Sequence, residues 1–347
     1  MRTLLPRDYA TSAHRTGALV RCRNVPSAEA LVRMLLAYAL TDMSLKDVAA
    51  WGQAMKVATM TGPGLFYRVR EAEKWLGEMV AGMVQTSVDE EAGRGLRLRV
   101  VDATVVNGPG RRSTDWRVHV TTDAATGTLT AAEITDAHGG EGYERHVFAP
   151  EDVVLGDRMY ATAKGLYAVV TDRAAVVARL NPHTLRVCNV KRRKIVVRSY
   201  EHKVPRAGVL DIDVTIPIPP PKSRSHKTWK LDTAIAWVPA RIVACRARNG
   251  EIIWVLTSLP RRIATGVRVL LLYRLRWQIE LFFKRLKSLL HFDTLPSRCG
   301  PTAKSWLLAR LLAAALAQRL TTPNGAFSPW GFDLRNIPSE RQRLVAF

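Results

Sequence analysis

The stretch Leu96-Arg97-Leu98-Arg99-Val100-Val101-Asp102 decides the fold class of this chain. It alternates apolar residues with arginines and is rich in β-branched side chains, a pattern that predicts a strand with Asp102 near its end. A second run, Asp152-Val153-Val154-Leu155-Gly156-Asp157, predicts a short buried strand that also ends on an aspartate. We therefore expect two strands that each place a carboxylate at an end.

The segments around these strands predict a mixed α/β sheet. Two further strands are predicted over 116–122 and 129–135, a helix begins at Ala161, and a strand follows over 175–180. Strands followed by alternating strands and helices are typical of a mixed α/β fold.

Residues 181–262 predict an all-β block set inside this domain. They contain β-branched runs and the hairpin turn Asn249-Gly250. Their proline-rich run, 217–221, excludes a helix or a central strand. Between Arg186 and Lys230, twelve Lys and Arg stand against three acidic residues, a local charge of +9. This surplus favours contact with a nucleic-acid backbone over a merely solvated surface.

The charge of the whole chain also predicts a polyanionic partner. Its 347 residues include 52 Lys and Arg and 30 Asp and Glu, a net charge of +22. With 47% hydrophobic and 24% charged residues the chain is globular, which excludes disorder throughout. The charge requires nucleic acid or an anionic membrane. The most apolar stretch, 306–320, contains Arg310 and Arg319 and is shorter than the ~20 residues of a membrane span, so we expect no membrane association.

The termini and cysteines favour a cytoplasmic protein. Residues 1–7 lack the continuous apolar region of a secretory signal. None of the four cysteines lies in a CxxC pair or a cluster with zinc spacing, so we interpret them as reduced thiols. A nucleic-acid-binding protein of the cytoplasm is the leading class.

The first 92 residues predict a helical unit. Helices are predicted over 28–39, from a capping box at Ser44 to about Lys56, and over 65–84, with a turn at 61–64. Two helices with a short glycine turn fit a helix-turn-helix, but any small helical bundle shows the same pattern. DNA binding and plain packing both stay open for this unit.

One face of a long helix, predicted over 267–290, carries a candidate site. At about 100° per residue, the charged and phenolic residues of this face fall within an arc of roughly 80°. They are Tyr273, Arg276, Glu280, Lys284 and Lys287. In an arbitrary protein such a face is usually a solvated surface with an i,i+4 ion pair. The phosphate-binding character of the face and the two aspartates earlier in the chain favour a site here.

Three carboxylates on separate elements, Asp102, Asp157 and Glu280, could converge. Carboxylate oxygens are the ligands that Mg²⁺ and Mn²⁺ prefer. Two such ions about 3.5–4 Å apart stabilise the attacking and leaving oxygens of an in-line phosphoryl displacement. The cationic side chains Arg276, Lys284 and Lys287 would then contact the substrate phosphates.

The spacing Tyr273-x2-Arg276-x3-Glu280-x6-Lys287 resembles the Tyr-Arg-Glu-Lys motif of insertion-sequence DDE transposases of family four. The resemblance covers about residues 96–322. Three more stretches resemble the same family, namely Val101-Asp102-Ala103-Thr104, Thr135-Asp136-Ala137-His138-Gly139-Gly140-Glu141 and Leu155-Gly156-Asp157-Arg158-Met159-Tyr160. The family's metal triad falls on Asp102, Asp157 and Glu280, which leaves Asp136 and Glu141 outside it.

The resemblance implies an RNase H-like fold with a β-rich insertion between the second aspartate and the glutamate. We expect an α/β chain with an N-terminal helical domain. The predicted parts are a helical DNA-end-binding domain (1–92), the first part of the catalytic domain (93–180), the basic β insertion (181–262), the second part of the catalytic domain (263–322) and a tail (323–347).

The implied activity is cut-and-paste transposition. One strand is cut at each element end with Mg²⁺ (or Mn²⁺) as cofactor, and the freed 3′-OH attacks the opposite strand to form a hairpin. The hairpin is hydrolysed and the 3′-OH attacks target DNA. The implied partners are double-stranded DNA with terminal inverted repeats, target DNA, and a second copy of the chain as a homodimer in the synaptic complex. The implied location is the bacterial cytoplasm, at the nucleoid.

Other residues are weaker candidates. Arg158 is predicted to contact phosphate, with a structural ion pair as the alternative. Trp254, or else Trp277, is predicted to stack on a flipped base, with core packing as the alternative. His119 is either close to the metal ligands or a core histidine. The competing functions are a non-catalytic DNA-binding regulator or inactive transposase copy, and an RNase H-like nuclease without strand transfer.

Overall fold

A computed structural model shows a ten-stranded mixed sheet with helices against both faces. The structure describes residues 4–91, 97–109, 114–124, 127–221, 229–276, 280, 284, 295–297 and 299–321. The strands are β1 (Arg97–Asn107), β2 (Thr114–Asp123), β3 (Leu129–Asp136), β4 (Asp152–Gly156), β5 (Ala175–Arg179), β6 (Val187–Cys188), β7 (Lys194–Ile195), β8 (Leu210–Ile218), β9 (Ala236–Arg246) and β10 (Ile252–Thr257). Their order across the sheet is β3-β2-β1-β4-β5-β10-β9-β8-β6-β7.

The centre of the sheet is parallel and its flanks are antiparallel. Strand β4 pairs in parallel with β1 on one side and with β5 on the other. The helix α6 (Ala163–Thr171) connects β4 to β5. Strand β1 continues beyond the end of β4 and pairs with β2 as far as Asn107. Asp102 therefore lies inside β1 and not near its end, whereas Asp157 directly follows β4 as predicted.

Alternating apolar residues give the sheet a hydrophobic core on each face. Leu98 and Val100 belong to one core cluster, and Val101 belongs to the other. Successive side chains of a strand point to opposite faces, so the apolar run of β1 buries residues on both sides. The same alternation places Asp102 on the face of Leu98 and Val100.

Five helices precede the sheet and pack on one of its faces. They are α1 (Tyr9–Arg15), α2 (Ala28–Leu40), α3 (Leu45–Ala54), α4 (Gly62–Glu71) and α5 (Glu73–Glu91). The predicted capping box is present, because Ser44 accepts from the Asp47 backbone N–H and the Asp47 carboxylate accepts from that of Ser44. Helices α2, α4 and α5 pack against α8 (Gly300–Thr321), and α5 also contacts β3.

Two details of the helical region differ from the sequence-based expectation. The predicted turn at 61–64 is the beginning of α4, with Thr61 as its N-cap. Proline near a helix start is compatible with the helix because the N–H it lacks has no intrahelical partner there. The helix predicted over 65–84 is two helices, since α4 ends before Ala72 and α5 begins at Glu73.

The long helix predicted over 267–290 also differs. The regular helix α7 (Gly266–Arg274) ends at Arg274, and the backbone N–H groups of Leu275 and Arg276 bond three residues back, to Leu272 and Tyr273. Most of the predicted continuation, 277–279, 281–283 and 285–290, lies outside the described residues.

Strands β6 to β10 arise from residues 181–262 and extend the same sheet. Strand β10 pairs antiparallel with β5, and β9 and β10 form a hairpin whose turn contains Gly250 at a φ of 82°. The prediction that 217–221 excludes a central strand agrees with the pairing, although Pro217 does lie in β8, opposite Trp237 of β9. Strand β6 pairs with β8 only at Thr215, so this end of β8 resembles an edge strand, where proline is tolerated.

Candidate active site

Two aspartates meet at the carboxyl end of the parallel strands. The parallel register pairs Val100 of β1 with Leu155 of β4, and two residues further along these strands bring Asp102 level with Asp157. Asp157 is held in place by the loop that follows it, because its Oδ1 accepts from the backbone N–H of Met159 at 2.7 Å. The ends of parallel strands are where α/β sheets commonly build their sites.

The Asp102 carboxylate is held in an unfavourable environment. Burial and the charge of Asp157, with a smaller effect of Glu141, raise its pKa from 3.8 to about 6. A hydrogen bond of 2.8 Å from the Ala103 N–H and the charge of Arg276 act in the opposite direction. The pair therefore carries negative charge that its surroundings compensate only in part.

Glu141 joins this acidic pair, although the sequence argument placed it outside the triad. Burial and then the charge of Asp157 raise its pKa, and Arg117 lowers it. The Arg117 Nε lies 3.7 Å from Glu141 Oε1, and its Nη1 donates to the Gly139 carbonyl at 2.6 Å. No local sequence pattern predicts this contact, because it depends on where the loop after β3 folds back.

Arg276 connects the aspartates to the third predicted carboxylate. Its Nη2 donates to Glu280 Oε1 at 2.5 Å, and its guanidinium lies 5.8 Å from the centre of the Tyr273 ring. Burial favours the neutral form, but the hydrogen bond to Glu280 and the contact with Tyr273 outweigh it and raise the pKa of Arg276. The charge of Arg276 also lowers the pKa of Asp102. One guanidinium thus acts on both Asp102 and Glu280.

The other predicted site residues differ in exposure, and two of them lie outside the described residues. Lys284 is exposed, whereas Lys287 and Trp277 lie outside the described residues. Arg158 is exposed at the sheet edge beside Asp157. Trp254 is 4% exposed in β10, so a contact with a base would require this strand to open locally.

Comparisons with known proteins identify the family of this chain. The family described as "Transposase DDE domain" matches residues 93–316, a range that includes both aspartates and Glu280. The chain belongs to the DDE transposase family. The recognition from the Tyr273-to-Lys287 motif is thereby confirmed.

The transposase is similar over nearly its whole length to curated relatives. It is 30% identical to the putative transposase InsL of insertion sequence element IS186A from Escherichia coli strain K12, over 93% of each chain. It is also 30% identical to the transposase of insertion sequence element IS421 from Escherichia coli, again over 93% of each chain. It is a transposase of an insertion-sequence family.

A solved structure shares the fold. The chain aligns with piggyBac transposase, from its synaptic complex with hairpin DNA, with a TM-score of 0.51 and 9% identity, covering 91% of this chain and 71% of that one. At this identity the likeness shows the fold alone, a large mixed sheet of the RNase H-like kind. Within the described part of the transposase, no helix is both long and apolar enough to cross a membrane.

Two buried tyrosines, which no sequence pattern indicated, lie close enough to the acidic pair to be affected by its charge. Tyr143 and Tyr160 are both fully buried, with ring centres 5.1 Å apart. Burial raises the pKa of Tyr143, as does the charge of Asp157, and burial raises that of Tyr160, with Asp102 contributing next. Gly156 is required between them, because a Cβ at this position would collide with the Tyr143 ring.

His119 lies in the core near this pair. Its side chain is fully buried, and its Nε2 lies 3.0 Å from Thr135 Oγ1. Burial, and then the charges of Arg145 and Arg117, lower the pKa of His119 to about 4. A neutral, buried imidazole of this kind fits the core-histidine alternative.

Members of this family generally use divalent metal ions, and the acidic pair fits such an ion chemically. Carboxylate oxygens are hard ligands, and a divalent cation would offset both the burial and the neighbouring charge of Asp157 that raise the pKa of Asp102. Within the described ranges, however, no three His, Cys, Asp or Glu side chains stand close enough to form a metal cluster. Glu280 is held by Arg276 and is 49% exposed. The structure thus joins two of the three predicted ligands and leaves the third beside them.

Proposed function

We propose that this transposase performs cut-and-paste transposition of its insertion sequence by DNA strand cleavage and strand transfer. The observation that carries the proposal is the juxtaposition of Asp102 and Asp157 on neighbouring parallel strands, with Arg276 linking them to Glu280. Water cuts one strand at each element end, the 3′-OH attacks the opposite strand to form a hairpin, and the 3′-OH released by hairpin hydrolysis attacks target DNA.

In this proposal Asp102, Asp157 and Glu280 are the catalytic metal ligands. Bound there, two Mg²⁺ ions, which Mn²⁺ can replace, would supply charge stabilisation to the attacking and leaving oxygens of an in-line displacement. The carboxylates of β1 and β4 are fixed by the sheet. Glu280 is half-exposed, and breaking its ion pair with Arg276 would free its carboxylate to bind a metal ion.

The cations of the motif bind the substrate backbone. We assign phosphate contacts to Arg276, Lys284 and Lys287, and a polar contact to Tyr273, because guanidinium and ammonium groups are the usual partners of phosphate oxygens. Arg158 is positioned for the same role beside Asp157.

The other roles that we propose are those expected from the sequence. Trp254 and Trp277 contact bases. The helical residues 1–92 bind the terminal inverted repeats, and the basic block 181–262 binds the DNA backbone. Two copies pair the element ends as a homodimer, and the reaction takes place on bacterial DNA in the cytoplasm.

Cleavage of DNA that carries the flanking inverted repeats tests the proposal. The protein is incubated with this DNA with and without Mg²⁺, and a denaturing gel resolves nicked and hairpin-sized products. We expect Mg²⁺-dependent nicking at the repeat boundary, followed by a hairpin. Asp102→Asn, Asp157→Asn and Glu280→Gln should each abolish nicking and leave end binding nearly intact.

Asp136→Asn is the matched control, since Asp136 is an exposed carboxylate at the end of β3, a strand of the same sheet that β2 separates from β1. This variant should cut at the wild-type rate. Tight binding of the repeats without cleavage in Mg²⁺ or Mn²⁺ would favour the non-catalytic regulator or inactive copy. Cleavage without joining to target DNA would favour a nuclease.

A further inference from the structure

A cleft of about 490 Å³ opens at the sheet edge beside the acidic pair. Four described segments form its wall: Arg158 after β4, residues 179–183 at the end of β5, the short helix Val197–Lys203, and the β9–β10 hairpin. Because β4 and β5 are parallel, their carboxyl ends lie at the same edge, so the cleft continues the edge that carries Asp157.

The cleft wall carries an excess of positive charge. Its ionised groups are four guanidinium groups and two carboxylates, which leaves a charge of +2. They are Arg158, Arg179, Arg198, Arg246, Glu201 and Glu251. Asn181 and His183 add further polar groups to the same wall.

Two of the arginines are held by glutamates in the protein alone. Arg179 Nη2 lies 2.6 Å from Glu251 Oε1, and Arg198 Nε lies 2.8 Å from Glu201 Oε1. Both pairs are partly exposed to solvent, with 30% and 54% of the side chains accessible in the first. Exposed ion pairs contribute little to stability, so a phosphate can compete for these guanidinium groups at low cost.

Arg246 has a structural role, because its hydrogen bonds hold two segments of the cleft wall together. Its Nη2 donates to the Glu201 carbonyl at 3.2 Å and its Nε to the Val204 carbonyl at 3.4 Å. These bonds tie the end of β9 to the short helix Val197–Lys203. The helix that carries Arg198 is therefore anchored to the sheet, and the spacing between the cleft's cations is set by the fold.

We propose that this cleft binds backbone phosphates of the DNA strand that passes the acidic pair. The proposal rests on the proposed function, because the strand to be cut must lie at Asp102 and Asp157 and then continue along the sheet edge. Arg158, Arg179 and Arg198 contact the phosphates there. Trp254 also lines the cleft but is 4% exposed, so the accessible contact surface of the cleft is formed by the arginines.

Salt dependence of DNA binding tests this contact. Each lost phosphate contact lowers the slope of log affinity against log salt by about 0.9 on duplex DNA. For Arg158→Gln combined with Arg198→Gln we expect a slope smaller by about 2, measured by fluorescence anisotropy with a labelled inverted-repeat duplex. The single variants Arg158→Gln and Arg198→Gln should each lower the slope by about 0.9. Their matched control is Arg173→Gln, an equal change of one charge at an exposed position just before the amino-terminal end of β5, opposite the cleft.

A variant with the opposite sign sharpens the test. Glu251→Gln removes the carboxylate that competes for Arg179, so it should tighten DNA binding by about threefold to tenfold at low salt. A loss of affinity in this variant would contradict the proposal, as would an unchanged slope in the double arginine variant or an equal reduction in Arg173→Gln.

The cleft and the catalytic proposal can fail separately. The slope is measured without divalent metal and on uncut DNA, so it does not depend on cleavage. A reduced slope with no Mg²⁺-dependent nicking in the wild type would support the cleft and refute the catalytic proposal. Normal nicking with an unchanged slope would do the reverse.

Discussion

Replacing Asp102 by asparagine should stabilise the metal-free transposase at neutral pH while abolishing cleavage. Burial and the charge of Asp157 raise the pKa of Asp102 from 3.8 to about 6. Between these values the folded protein binds more protons than the unfolded chain, so the free energy of unfolding falls as the pH rises through the interval. At about 1.4 kcal/mol per pKa unit, the ionised Asp102 costs the fold about 3 kcal/mol above pH 6.

Urea unfolding with a chelator present measures this cost. At about pH 7.5 we expect the free energy of unfolding of Asp102→Asn to exceed that of the wild type by roughly 2–3 kcal/mol. Near pH 4 the difference should nearly vanish, because the wild-type carboxyl is then protonated. Asparagine keeps an oxygen that can accept from the Ala103 N–H, so this hydrogen bond is not lost. Asp136→Asn, at an exposed site, should show no gain at either pH.

Two results would refute this reasoning. A variant that is less stable than the wild type at neutral pH would show that Asp102 is not a repelled, buried charge. Equal stabilisation of both proteins by Mn²⁺ would show that Asp102 is not a metal ligand, since saturation at about 100 times the dissociation constant should add about 2.7 kcal/mol to the wild type alone.

Three further predictions concern the residues that support the site. Gly156→Ala should destabilise the protein by about 1–3 kcal/mol and slow cleavage, because its Cβ collides with the buried Tyr143; thermal unfolding should show part of the loss recovered by adding Tyr143→Leu. Burial lowers the pKa of His146 to about 4, so stability should fall by up to about 3 kcal/mol as the pH decreases from 6.5 to 4, and a urea series should show a flatter dependence in His146→Phe. Arg241→Leu should cost about 2–4 kcal/mol in urea unfolding, because it removes the buried guanidinium that pairs with Asp211 and donates to the Leu259 and Ala264 carbonyls. Asp211 keeps its ion pair with Arg261, and Arg241→Leu with Asp211→Asn should cost less.

The sequence predicted what depends on neighbouring residues and missed what depends on distant pairing. Asp157 lies where its short apolar run predicts, directly after β4. Asp102 was expected near a strand end, but β1 continues to Asn107 because its pairing with β2, which begins at Arg99, extends beyond the end of β4. No local pattern reports that one neighbouring strand is shorter than the other.

The same reason explains the role of Glu141. Its loop is polar, and nothing in the loop's sequence distinguishes this carboxylate from Asp136 nearby. In the structure Asp136 is exposed, whereas Glu141 contacts Arg117, and burial and the charge of Asp157 raise the pKa of Glu141. The motif places Arg276 four residues before Glu280, but it does not show that Arg276 also acts on Asp102, which depends on how the chain folds around β1.

The charges gathered at this site show why a divalent cation fits it although the chain as a whole carries +22. Six ionisable groups interact there, four acidic and two basic: Asp102, Asp157, Glu141, Glu280, Arg117 and Arg276. Fully ionised, they leave an excess of two negative charges, and Asp157 and Glu141 add to the effect of burial in raising the pKa of Asp102, while Arg276 offsets it only in part. One divalent cation would cancel this excess and a second would leave the site positive, which is the condition that favours a DNA phosphate between the carboxylates and the surrounding cations.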